Sequence, residues 1–108
     1  MGDKGCPIER TVNILEGKWT LLILRELFTG TKRFGELRSA LAGVSPKTLS
    51  ERLRILEKQG IIERTIYPEV PPRVEYSLTA LGQTLKPIIE ALREWGTEWA
   101  DHVLPIAG

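Results

Sequence analysis

A chain of 108 residues with 42% hydrophobic and 27% charged side chains has the size and composition of a single soluble globular domain. No apolar run approaches the roughly 20 residues that cross a bilayer, because the stretch 19–24 is followed at once by Arg25 and Glu26. The polar start, residues 1–5, has no apolar signal region, so a cytoplasmic protein is expected.

In chain order, Pro7 suits the first position of a helix, where no N–H is required. Glu9 lies in its first turn and Gly17 near its end, with Cys6 at or beside the N-cap. A second helix is predicted over about 18–29. It is apolar nearly all round through Trp19, Leu21, Leu22, Ile23, Leu24, Leu27 and Phe28, which makes it the expected core, and Gly30 stops it. Thr31-Lys32-Arg33 reads as a short extended piece. Residues 34–41 form a short third helix that ends at Ala42-Gly43.

The best bounded segment follows. Ser45 is a good N-cap because its hydroxyl can accept from the N–H of Thr48. Pro46 fits the first helical position, and Gly60 supplies a left-handed stop. At about 100° per residue, Leu49, Leu53 and Leu56 share one face, while Lys47, Ser50, Glu51, Arg54 and Lys58 lie opposite. That second face is either an ordinary solvated surface or a set of hydroxyls and cations suited to a DNA major groove. A short helix and a Gly-containing turn placed directly before it give helix-turn-helix order. Charge supports the second option weakly: residues 31–75 carry nine basic and six acidic side chains, against two and four in 76–108. Lys47, Ser50 and Arg54 are the expected base or phosphate contacts, with Thr48 and Ser45 at the backbone near the helix entrance. Glu51 could accept from a cytosine amine, although a pairing with Lys47 or Lys58 within the helix is the stronger expectation.

After Gly60 the period changes to two. Residues 61–67 are rich in β-branched side chains, and residues 73–78 alternate with Val74, Tyr76 and Leu78 on one face. The connection Pro68-Glu69-Val70-Pro71-Pro72 has three prolines and is stiff. Two strands with a rigid tip directly after a recognition-type helix make a wing, with Arg64 and Arg73 as expected phosphate contacts. Thr79 then caps a last long helix with apolar residues at Leu81, Leu85, Ile88, Leu92, Trp95 and Trp99, a seam widened by Ile89 and Val103. Pro87 is expected to kink this helix. The seam could pack on the first two helices of its own chain, but it is long for so small a domain, and a homodimer interface is favoured.

Five stretches carry a family resemblance: Cys6-Pro7-Ile8-Glu9, Gly17-Lys18-Trp19-Thr20, Phe34-Gly35-Glu36-Leu37, Ser45-Pro46-Lys47-Thr48-Leu49-Ser50, and residues 67–76. Together they resemble the HxlR family of bacterial transcriptional regulators, which is similar to the MarR group. The resemblance implies a mainly α fold with a small β-hairpin wing, a winged helix-turn-helix with N- and C-terminal dimerisation helices. One domain, 1–108, would divide into N-terminal helices (6–30), helix-turn-helix (34–60), wing (61–78) and C-terminal dimerisation helix (79–103). It further implies a homodimer, joined through Leu85, Ile88, Leu92, Trp95 and Trp99, that sets two recognition helices in successive major grooves of an inverted-repeat operator. Two-fold symmetry would space the half-sites by one or two helical turns of roughly 34 Å each.

Cys6 is the only cysteine, so oxidation must give an inter-subunit disulfide, a mixed disulfide or a sulfenic acid. A helix N-terminus favours a thiolate, and Lys4 and Arg10 are close in sequence. Members of the resembled family commonly carry a cysteine here, and several sense oxidants or electrophiles with it. A small packing residue is the competing reading. A second form of control would be a small-molecule effector in the cleft between the wing domain and the dimer helices, with Trp19, Trp95 and Trp99 as its candidate lining. An enzyme is not expected: His102 is the only histidine, and there is no Ser/His/Asp set, metal-ligand cluster or phosphate loop, so neither cofactor nor metal is called for. A winged helix could also serve as a protein-interaction module without touching DNA.

Overall fold

The computed structural model describes residues 5–106. Lys4, expected beside Cys6, lies outside them. The elements are α1 (Pro7–Ile14), α2 (Lys18–Leu27), α3 (Phe34–Ala40), α4 (Pro46–Lys58), β1 (Ile62–Tyr67), β2 (Arg73–Leu78), α5 (Ala80–Gln83), α6 (Lys86–Trp99) and a 3-10 turn (Ala100–His102). It is a winged helix-turn-helix, mainly helical with one antiparallel hairpin, as the sequence leads one to expect.

The core gathers on α2, whose Ile23, Leu24 and Leu27 are buried. It is closed by Leu37 and Leu41 from the α3 segment, Leu49, Leu53 and Leu56 from α4, Ile61 and Ile62 at the start of the wing, and Ile89 from α6. Each such side chain contributes about 1.5–3 kcal/mol by leaving water. α4 therefore cannot roll: three leucines spaced along one face fix which side of it looks outward.

The wing pairs Ile62 with Leu78 through to Tyr67 with Arg73, in register with no bulge. Lys32 joins it as the expected extended piece. Its N–H donates to the Tyr76 carbonyl at 3.0 Å and its carbonyl accepts from the Tyr76 N–H at 2.7 Å, so the strand carrying Tyr76 is tied to the loop ahead of α3.

One expectation is corrected. The C-terminal segment is not a single kinked helix, because α5 ends at Gln83 and α6 begins at Lys86 with Pro87 in its first turn. Proline has no N–H to give to a preceding carbonyl, so the chain restarts the helix at the one place where that donor is not needed. Thr79 does cap the segment: its hydroxyl accepts from the Gly82 N–H at 3.1 Å and lies 2.6 Å from the Gly60 carbonyl, to which it can donate.

Candidate nucleic-acid interface

The outward face of α4 is built by its N-terminus. The Ser45 Oγ accepts from the Thr48 N–H at 3.1 Å, and its own hydroxyl lies 3.0 Å from the Thr48 Oγ1. Ser45 is thus engaged as a cap, while Lys47, Ser50 and Arg54 stand exposed beyond it with Thr48 half-buried at the edge. None of Lys47, Arg54 or Glu51 forms an ion pair among the described residues. The expected pairing of Glu51 with Lys47 or Lys58 is therefore absent. Its carboxylate stands among the candidate contacts, free to meet a base edge.

The two wing arginines differ. Arg64 is exposed on β1, directly opposite Tyr76 across the ladder, with its Nε 3.9 Å from the Glu57 carboxylate of α4. Arg73 is turned into the wing itself. One terminal nitrogen lies 3.1 Å from the Glu69 carboxylate, the other 2.9 Å from that of Glu75, and the guanidinium sits 3.9 Å above the Tyr67 ring. Its Nε is buried with no partner among the described residues. Two carboxylates and a ring face thus engage that guanidinium, which ties β2 to the loop 68–72. Residues two apart on a strand point the same way, so the Arg73/Glu75 pair could have been read from the sequence. Replacing Arg73 with alanine is expected to raise exchange of the tip's two amides, those of Glu69 and Val70, about tenfold by loosening this clasp. Hydrogen-exchange mass spectrometry of the wing peptide checks it, and unchanged protection would show the prolines alone hold the tip.

Cys6 is the N-cap residue of α1 and is exposed, with no side-chain capping bond. It is therefore not a packing residue within a single chain. The seam residues divide. Leu85 and Ile88 are half-buried against the core, while Leu92, Trp95 and Trp99 remain 51%, 56% and 49% exposed. α1 has no buried residue, and Ile8 and Val12 on it are open as well. The cleft between α2 and α6, about 350 Å3, is lined by Leu21, Leu22, Arg25, Ile89, Leu92 and Arg93, and not by the three tryptophans. No helix of the described residues is long and apolar enough to cross a membrane.

A helix-turn-helix whose second helix shows a polar, cationic face beside a hairpin is the architecture of a winged-helix DNA-binding regulator. Comparison with known proteins gives the particular group. Residues 14–104 match the profile of the HxlR-like helix-turn-helix family, and the chain belongs to that family. An HTH-type transcriptional regulator of Synechocystis, sll1512, is 53% identical over 97 residues, which cover 90% of this chain and 72% of the relative. Among solved structures, a regulator of Porphyromonas gingivalis W83 assigned to the MarR family superposes with a TM-score of 0.85 at 44% identity, over 92% of this chain and 97% of its own. The redox regulator HypR in its reduced form gives 0.86 at 41% identity, over 89% and 95% of the two chains. HypR in its oxidised form gives 0.82 at 39%, over 94% and 100%. The family is one of transcription regulators rather than enzymes.

Proposed function

We propose that the protein is a cytoplasmic, homodimeric repressor that binds an inverted-repeat operator in double-stranded DNA and releases it when an oxidant or electrophile modifies Cys6. The observation that carries the DNA reading is the outward face of α4. Lys47, Ser50 and Arg54 are exposed and unpaired, a helix N-terminus lies behind them, and three buried leucines fix the orientation. Ser45 and Thr48 hold the helix entrance at the strand, and Arg64 and Arg73 act from the wing, Arg73 chiefly by shaping it. The open apolar faces of α1 and α6 support the dimer. The exposed thiol at the start of α1, and the likeness to a protein named a redox regulator, support control through Cys6. A small effector in the α2–α6 cleft is a second reading, favoured by its apolar floor and two arginines.

Genomic fragments bound by the protein, selected with and without diamide, test the proposal. On a selected fragment, Lys47→Ala should weaken binding and flatten the dependence of log K on log salt by about one unit, the loss of a single phosphate contact. Diamide should release the parent but not Cys6→Ser. Selection of no fragment at low salt would remove the DNA reading. Equal release of both forms would remove the role of Cys6 alone.

A further inference from the structure

Between the second half of α4 and the wing lies a polar recess of about 200 Å3 lined by Ser50, Leu53, Arg54, Glu57, Arg64 and Tyr76. Ser50, Arg54 and Glu57 reach it together because residues spaced by four and three share a helix face. Arg64 and Tyr76 reach it from the other side because they face each other across the ladder, and such partners lie within about 5.5 Å. Leu53 is its buried floor. The polar groups are two guanidiniums, one carboxylate and two hydroxyls. Arg54 has no counter-ion among the described residues, and the Glu57 carboxylate stands 3.9 Å from the Arg64 Nε, close enough to attract it and too far to hydrogen-bond it. The Tyr76 phenol is protonated at neutral pH like any phenol, burial pushing its pKa up against the opposing pull of Arg64, and the paired bonds to Lys32 fix its backbone.

Adjacent grooves of a duplex are separated by one sugar-phosphate strand. With α4 in a major groove and the wing reaching toward the next minor groove, that strand must cross the seam between them, which is where this recess opens. We propose that Ser50, Arg54, Arg64 and Tyr76 form a seat for one backbone phosphodiester, and that Glu57 is its built-in counter-ion, balancing Arg64 in the free protein and lowering affinity for every duplex alike. The inference rests on the DNA-binding reading above and adds to it two residues, Glu57 and Tyr76, that carry no sequence information themselves. By restraining the phosphate grip, Glu57 leaves discrimination to base contacts from the first turns of α4.

Binding of the full-length protein to a fluorescein-labelled duplex of mixed sequence, titrated in potassium chloride, reads the seat directly because a phosphate contact needs no operator. Arg64→Ala should flatten the salt dependence by about one unit. Tyr76→Phe should lose about threefold to fivefold in affinity with the slope unchanged, since a neutral hydroxyl releases no counter-ion. Glu57→Gln should gain about twofold to fivefold, and that gain should shrink at least by half in the Arg64→Ala background, with each variant melting as the parent does. A Glu57→Gln gain of equal size with and without Arg64, or an unchanged slope for Arg64→Ala, overturns the seat while leaving DNA binding intact. A parent that shows no salt-dependent affinity for the duplex overturns both.

Discussion

Replacing Leu92 and Trp95 together with glutamate is expected to leave a folded protein with the mass of one chain and at least about a hundredfold less affinity for operator DNA. Both side chains are about half-exposed on α6, beyond the point where Leu85, Ile88 and Ile89 are held by the chain's own core. The variant therefore leaves the fully buried core untouched and gives up only the half of each side chain that its own chain covers. Across a dimer the same positions would be covered, each contributing about 25 cal/mol for every Å2 of apolar surface withdrawn from water. A carboxylate there would have to be desolvated without a partner, at a cost of several kcal/mol. In the proposed dimer the loss of DNA affinity would follow from the loss of a tethered second recognition helix, since each half-site alone would bind without the effective concentration its twin supplies. Light scattering gives the mass and circular dichroism the fold. A doubly substituted protein that still has the mass of two chains would move the interface elsewhere, with the open face of α1 around Ile8 and Val12 as the next place to look.

What the sequence discloses here depends on how local the cause is. Both ends of α4 are legible because Ser45, Pro46 and Gly60 act through their own stereochemistry, and Gly60 takes the left-handed conformation its position requires. The wing strands are legible to within a residue because alternation and prolines mark them. Pro87 is harder: an apolar seam that runs unbroken from Leu81 to Trp99 makes one helix look continuous, and only the backbone shows that the break falls just before the proline. The candidate site divides in the same way. The outward face of α4 follows from helical period alone, whereas the approach of Glu57 to Arg64 depends on how α4 lies against β1, which no spacing in either element specifies. The inward turn of Arg73 is intermediate, since its Glu75 partner lies two residues away on the same strand face while its Glu69 partner needs the loop to fold back.

Gly82→Ala is expected to destabilise the protein by about 2–3 kcal/mol, although helix propensity alone predicts the opposite sign. Alanine is favoured over glycine by about 1 kcal/mol in a helix interior, and Gly82 lies within α5 with an ordinary helical backbone. The structure reverses the expectation because α5 is pressed onto the entrance of the wing. A Cβ at position 82 would overlap the Ile61 carbonyl oxygen and lie 3.1 Å from the Leu78 Cδ2. That carbonyl cannot step aside freely, since it accepts from the Thr79 N–H at 3.0 Å, and the Thr79 hydroxyl in turn receives the Gly82 N–H. Relief would have to move α5 away from β1, loosening the Thr79 cap and the start of the wing together. A loss of this size should lower the melting temperature by about 10 °C or more in a domain of about this length. Gly35→Ala is the internal control: Gly35 is exposed in α3 with nothing within 4 Å of its Cβ direction, so the same methyl should there stabilise by about 0.5–1 kcal/mol. Both melts must be taken at one protein concentration, because the transition of the proposed dimer would shift with it. If the two glycines respond with the same sign, contact with the Ile61 carbonyl is not what demands glycine at position 82.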